Sequence, residues 1–73
     1  MQFLDQINLL KRIHQFIKRK ATGSPERFAA RLEISRASVF RQIKLLKMLG
    51  AKIQYNYDRE SYIYEEEFIL NFS

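Results

Sequence analysis

The sequence has no cysteine, one proline, two glycines and one histidine. Without cysteine there can be no disulfide, thiolate metal site or cysteine nucleophile, so the 73 residues must be stabilised by their core or by association. A chain of this length buries only about 60% of its unfolded surface and cannot divide its core, so a single domain over residues 1–73 is expected. No uninterrupted apolar run exceeds the three residues Phe68-Ile69-Leu70, and no basic cluster precedes an apolar stretch at the N-terminus. Both a membrane span and a signal core need more, and a soluble, cytoplasmic protein is expected. His14 is the only base available to a Ser-His-Asp site, and neither a nucleophile elbow nor a glycine-rich turn accompanies it. A packing or interface role suits His14 better, and no enzyme activity is expected.

Acids are scarce where cations are plentiful. Residues 1–52 hold 12 of the 13 Lys and Arg against Asp5, Glu26 and Glu33, a charge of +9, whereas residues 53–73 hold Arg59 against five acids, a charge of −4. The first part suits a polyanion, although a solvated basic surface has the same composition. The run Glu65-Glu66-Glu67 reads as a solvated acidic strand end, because consecutive carboxylates on a strand diverge. No metal, cofactor or small-molecule ligand is indicated.

From residue 3 to residue 20 there is no Pro or Gly, and Leu9, Leu10, Ile13, Phe16 and Ile17 recur at helical spacing. Phe3, Ile7 and His14 widen the apolar sector beyond what one partner surface needs. Gly23, Ser24 and Pro25 supply the turn, cap and first helical position of a second helix over 25–32, which buries Phe28, Ala29 and Leu32. Only Glu33 and Ile34 separate it from a third helix, capped by Ser35, running over 36–49 and ended by Gly50. So short a connection makes the two helices cross steeply. The apolar period then falls to two: Ile53, Tyr55 and Tyr57, turn chemistry in Asp58-Arg59-Glu60-Ser61, and Tyr62-Ile63-Tyr64 predict a hairpin over 52–65. Ile53, Tyr55, Tyr62 and Tyr64 share one face, and they suit a cover for the helices better than a platform for stacked bases.

On a wheel of about 100° per residue, Val39, Ile43 and Leu46 form the buried stripe of the third helix, with Leu49 beside it. Ala37, Arg41 and Lys44 lie opposite, with Ser38 and Phe40 at the edges. This outer face is small near the helix start and cationic along its length, so a DNA major groove could admit it while Arg41 reaches a base edge. Ser35 and Arg36 sit at the N-terminal turn, where free amides and the helix dipole favour phosphate. Ala29 is small where the helices approach, and Ile34 plugs their turn.

The order of Phe28-Ala29 and Leu32, Ile34-Ser35-Arg36, Val39-Phe40-Arg41, Ile43, Leu46 and Gly50, followed by the strands carrying Ile53, Tyr55, Tyr62 and Tyr64, resembles the winged helix-turn-helix of bacterial transcription regulators of the DeoR and biotin-repressor type. The resemblance covers roughly residues 5–64. It implies an α+β fold of three helices with a C-terminal β-hairpin wing, and sequence-specific binding of double-stranded DNA with the third helix in the major groove. Its implied contacts are Ser35, Arg36, Ala37, Ser38, Arg41 and Lys44, with Arg59 at the wing tip. Two departures stand out. Glu33 occupies a turn that normally carries Gly, and the wing tip has Glu60-Ser61 in place of Gly-Gly. The acids in these places and at 65–67 favour the alternative of a winged-helix protein-interaction module without DNA binding.

The apolar tail, residues 66–73, lies outside the resemblance. Phe68, Leu70 and Phe72 are expected to pack with Phe3 and Ile7 in a homodimer interface. A dimer would set two third helices about 34 Å apart for a palindromic site.

Overall fold

The computed structural model describes residues 3–70, which form three helices followed by a two-stranded antiparallel hairpin, the expected α+β winged-helix arrangement. Helix α1 spans Phe3–Lys18, with Asp5 in its first turn and Lys18 in its last, each complementing the local helix dipole. It stops two residues before the expected position 20 because Lys20 takes a left-handed conformation, φ 57°. Lys20 N–H then bonds to Ile17 C=O and Ala21 N–H to Phe16 C=O, the paired bonds of a Schellman ending.

Helix α2 spans Pro25–Leu32, with Ser24 Oγ accepting the Arg27 N–H and Pro25 opening the first turn. It closes by the same device: Glu33 is left-handed at φ 58°, and Ile34 N–H bonds to Ala29 C=O. Helix α3 spans Arg36–Met48. Its Schellman ending uses Gly50, φ 109°, where an L side chain would be strained, with Ala51 N–H on Leu46 C=O. Leu49, expected beside the buried stripe, is instead half-exposed, and Gln42 takes the place on the buried side. The reason is a partner: Gln42 and Gln6 of α1 exchange amide hydrogen bonds of 2.5 and 3.5 Å, so a polar side chain can be buried there without orphaned groups.

Strands β1 (Ile53–Asn56) and β2 (Ser61–Tyr64) pair with Ile53 opposite Tyr64 and Tyr55 opposite Tyr62, which puts those four residues on one face as the alternation predicts. The tip is the four residues Tyr57 to Glu60, held by Asn56 Oδ1 accepting the Arg59 N–H, with Glu60 left-handed at φ 51°. Ser61 therefore corrects one expectation. It lies in the strand and not in the turn, and it is fully buried.

The core joins every element: Leu10, Ile13 and Ile17 of α1, Phe28 and Leu32 of α2, Val39, Ile43 and Leu46 of α3, and Ile53 and Tyr62 of the hairpin. An aromatic series crosses it from Phe16 to Phe28, Tyr62 and Tyr55, with ring centroids 5.6, 6.2 and 5.1 Å apart. A two-stranded hairpin is marginal alone, and this one is also anchored by hydroxyls. Thr22, fully buried in the α1–α2 connection, accepts the Tyr62 N–H at 2.9 Å, donates to Gly23 C=O at 2.9 Å and lies 3.1 Å from Ser61 Oγ. Ser61 Oγ in turn accepts the Thr22 N–H and donates to Tyr62 C=O. Among the described residues no buried side-chain polar atom lacks a partner.

Candidate nucleic-acid interface

The exposed side of α3 is positioned by its opposite side. Val39 and Leu46 are fully buried and Ile43 nearly so, which turns Ala37, Arg41 and Lys44 outward to solvent. At the start of the helix, Ser35 is extended and its Oγ accepts the Ser38 N–H at 3.0 Å. The same Oγ donates its proton to Ser38 Oγ, 3.0 Å away, and Ser38 Oγ also accepts from Arg41 Nη2 at 2.8 Å. Ser35, Ser38 and Arg41, three residues apart each, thus form one hydrogen-bonded series along the outer edge. Ser38 accepts twice within it, and its own O–H has no acceptor among the described residues, which leaves it to donate to an incoming oxygen.

Arg36 is held differently. Its guanidinium donates to Glu26 of α2 at 2.7 Å and lies 6.0 Å from the centroid of the Phe40 ring. The Glu26 carboxyl is held below the usual carboxylate range, first by a hydrogen bond from its own backbone N–H at the helix start and then by Arg36. Both side chains are more than half exposed, so water screens the pair and phosphate could displace it readily. Ala37 and Lys44 stand exposed with no side-chain partner among the described residues.

Arg59 is exposed at the wing tip between the exposed acids Asp58 and Glu60. Glu33 is exposed in the inter-helix turn, where its left-handed backbone performs the task usually given to Gly. The outer face also carries apolar surface that the charge pattern did not single out: Phe40 is 46% exposed and Met48 75%. Met48 was legible, since it stands four residues after Lys44 and seven after Arg41. Glu26 was not, because only the crossing of α2 over α3 brings it to Arg36.

The residues expected at a dimer interface have mixed places. Phe68 and Leu70 are half-buried against the core of their own chain, with Phe68 edge-on to His14 at 6.0 Å, and Ile7 is half-buried in α1. Phe72 and the side chain of Phe3 lie outside the described residues. His14 is buried, and its Nδ1 lies 2.7 Å from Tyr64 Oη. Burial, with Lys18 nearby, lowers the His14 pKa, and burial pushes the Tyr64 hydroxyl up to about 12. His14 therefore serves as a packed hydrogen-bonding group, with no ring nitrogen presented as a base on the α3 face. Among the described residues no cluster of His, Cys, Asp or Glu could hold a metal ion, and no helix is long and apolar enough to cross a membrane.

No curated protein matches the chain, and no solved structure does. A helix-turn-helix domain family does match, over residues 9–56, from the middle of α1 through β1 and including the whole α2–α3 pair. That match spans two-thirds of the sequence and coincides with the elements that build the cationic face, so the chain belongs to the helix-turn-helix family, the DNA-binding domains of bacterial regulators.

Proposed function

We propose that this domain binds double-stranded DNA sequence-specifically and regulates transcription, with α3 inserted in the major groove and no catalytic activity. The observation that supports this most is the Ser35–Ser38–Arg41 series, which fixes an arginine and a free hydroxyl donor on the exposed first turns of a rigid helix. Arg41 is suited to the O6 and N7 acceptors of a guanine, and Ala37 beside it allows close approach. Ser35, Ser38 and Arg36 are placed for phosphate, Lys44 adds a mobile point charge, and Arg59 is assigned a backbone contact from the wing. On this reading the protein works in the cytoplasm, as a homodimer whose two α3 helices read half-sites about one helical turn apart.

The experiment is a selection of binding sites from random duplex at physiological salt, followed by titration of variants on the selected site and on random duplex. Arg41→Ala is expected to cost about 1–3 kcal/mol, mainly on the selected site. Lys44→Ala is expected to weaken both duplexes alike and to reduce the slope of log K against log salt by about one. If both variants bind both duplexes as the parent does, groove insertion is wrong, and the protein-interaction reading supported by Glu33 and Glu60 takes its place.

A further inference from the structure

We propose that the groove between α1 and the segment following β2 receives a second copy of this chain, with Ile69 of each copy entering the groove of the other. The proposal rests on the dimeric reading above and identifies the surface that would carry it. The groove has a volume of about 460 Å³. The α1 side of its lining supplies His14 and Ile17 with the cations Lys11 and Lys18, and the segment after β2 supplies Phe68 and Leu70 with the acids Glu65 and Glu67, so one side is cationic and the other anionic. Ile69 lines the same groove and is 76% exposed, so a large apolar side chain stands at its mouth open to solvent.

Charge decides the occupant. Of the three acids lining the groove, Glu66 is engaged by Lys52 at 2.9 Å, and among the described residues Glu65, Glu67, Lys11 and Lys18 form no ion pair. An acidic partner would satisfy one side and be repelled by the other, and a basic partner the reverse. A second copy related by a two-fold axis running along the groove satisfies both at once, because that rotation lays the cationic side of each copy on the anionic side of the other. The same rotation brings a protruding Ile69 to each cavity, so knob and hole are both supplied by one surface. No residue of α2 or α3 lines the groove, and the dimer would leave both DNA-facing helices uncovered.

The test is sedimentation equilibrium of the full chain from about 10 μM to about 1 mM, a range that reaches weak association. The parent is expected to show a reversible monomer–dimer equilibrium. Ile69→Glu, a change at an exposed position that should leave folding intact, is expected to weaken it at least about a hundredfold, because each substitution counts twice in a two-fold interface. The variant Lys11→Glu/Lys18→Glu and the variant Glu65→Lys/Glu67→Lys are each expected to be monomeric alone and to form a heterodimer when mixed, which only folded, charge-complementary chains can do. A parent that is monomeric at every concentration overturns the proposal, as does a dimer unaffected by these changes. Binding of the variants to a single half-site separates failure here from failure of the DNA-binding reading, which predicts that a monomer still binds.

Discussion

Replacing Thr22 by Val keeps the shape of a fully buried side chain and deletes one oxygen. That oxygen accepts the Tyr62 N–H, donates to Gly23 C=O and touches Ser61 Oγ. After the change the Tyr62 amide is a buried donor with no acceptor, a state that costs about 1–3 kcal/mol. Loss of the bond to Gly23 and of the Ser61 contact adds about 1 kcal/mol, since net contributions of neutral hydrogen bonds cluster near that value. The sum is about 2–4 kcal/mol, against the roughly 4–11 kcal/mol total that a domain of this length is expected to have. A domain this small loses about 4–8 °C of melting temperature per kcal/mol, so a fall of about 10–25 °C is expected. Thermal and urea unfolding followed by circular dichroism measures it. Thr22→Ser, which keeps the hydroxyl and loses one methyl, should cost only about 1 kcal/mol. Were Thr22→Val to melt within about 2 °C of the parent, or no lower than Thr22→Ser, the hydroxyl would not hold the wing to the helices and the argument would fail.

Three further outcomes concern a strained backbone position and two buried polar groups. Glu33→Gly should stabilise the domain by about 0.5–1 kcal/mol, because relief of a left-handed L residue, about 1–2 kcal/mol, exceeds the added chain entropy of glycine, and a melting temperature no higher than the parent's would contradict this. Gln42→Ala should cost about 1–3 kcal/mol by leaving Gln6 unpaired, whereas Gln6→Leu/Gln42→Leu should come close to the parent, so equal losses in both variants would refute the pairing argument. Burial, with Lys18 nearby, holds the folded-state pKa of His14 below the ordinary imidazole value of about 6.5, so the unfolded chain binds the extra proton first. Its contribution is present above that value and is lost as pH falls toward the folded pKa, and urea midpoints should fall on acidification from about pH 7.5 to about pH 5, with a shallower fall in His14→Phe.

What the sequence made legible was local. Ser24, Pro25, Ser35 and Gly50 act within a few residues of themselves, and each occupies the cap or turn its chemistry implies. The hairpin face was legible for the same reason, since alternation follows from backbone geometry alone. The end of α1 was not: Gly23 looked like its stop, yet Lys20 makes the left-handed turn three residues earlier without glycine's advantage. Ser61 looked like a turn residue because serine commonly is one, and its strand position depends on Thr22, 39 residues away. Nothing local marked Gln42 as buried, because its partner, Gln6, is 36 residues away. At the interface, the spacing of Ser35, Ser38 and Arg41 was readable as one side of a helix. Their mutual hydrogen bonds and the restraint of Arg36 by Glu26 required the side chains and the helix crossing.

Those restraints divide the outer face of α3 into two parts with different physics. An arginine side chain carries about 2 kcal/mol of rotamer entropy, and a contact that must first order it loses much of its gain. Arg41 is already tied to Ser38, so the second turn presents a donor whose direction is partly set before any partner arrives, whereas the exposed Arg36–Glu26 pair yields readily. Lys44 and Lys47 have no such ties among the described residues, and an ammonium on a free stem attracts phosphate with little regard to direction. If α3 enters a groove, discrimination between sequences should therefore concentrate at the N-terminal end of the helix, where geometry is fixed. The salt-dependent, sequence-blind part of the affinity should come from its later turns, where only charge is fixed.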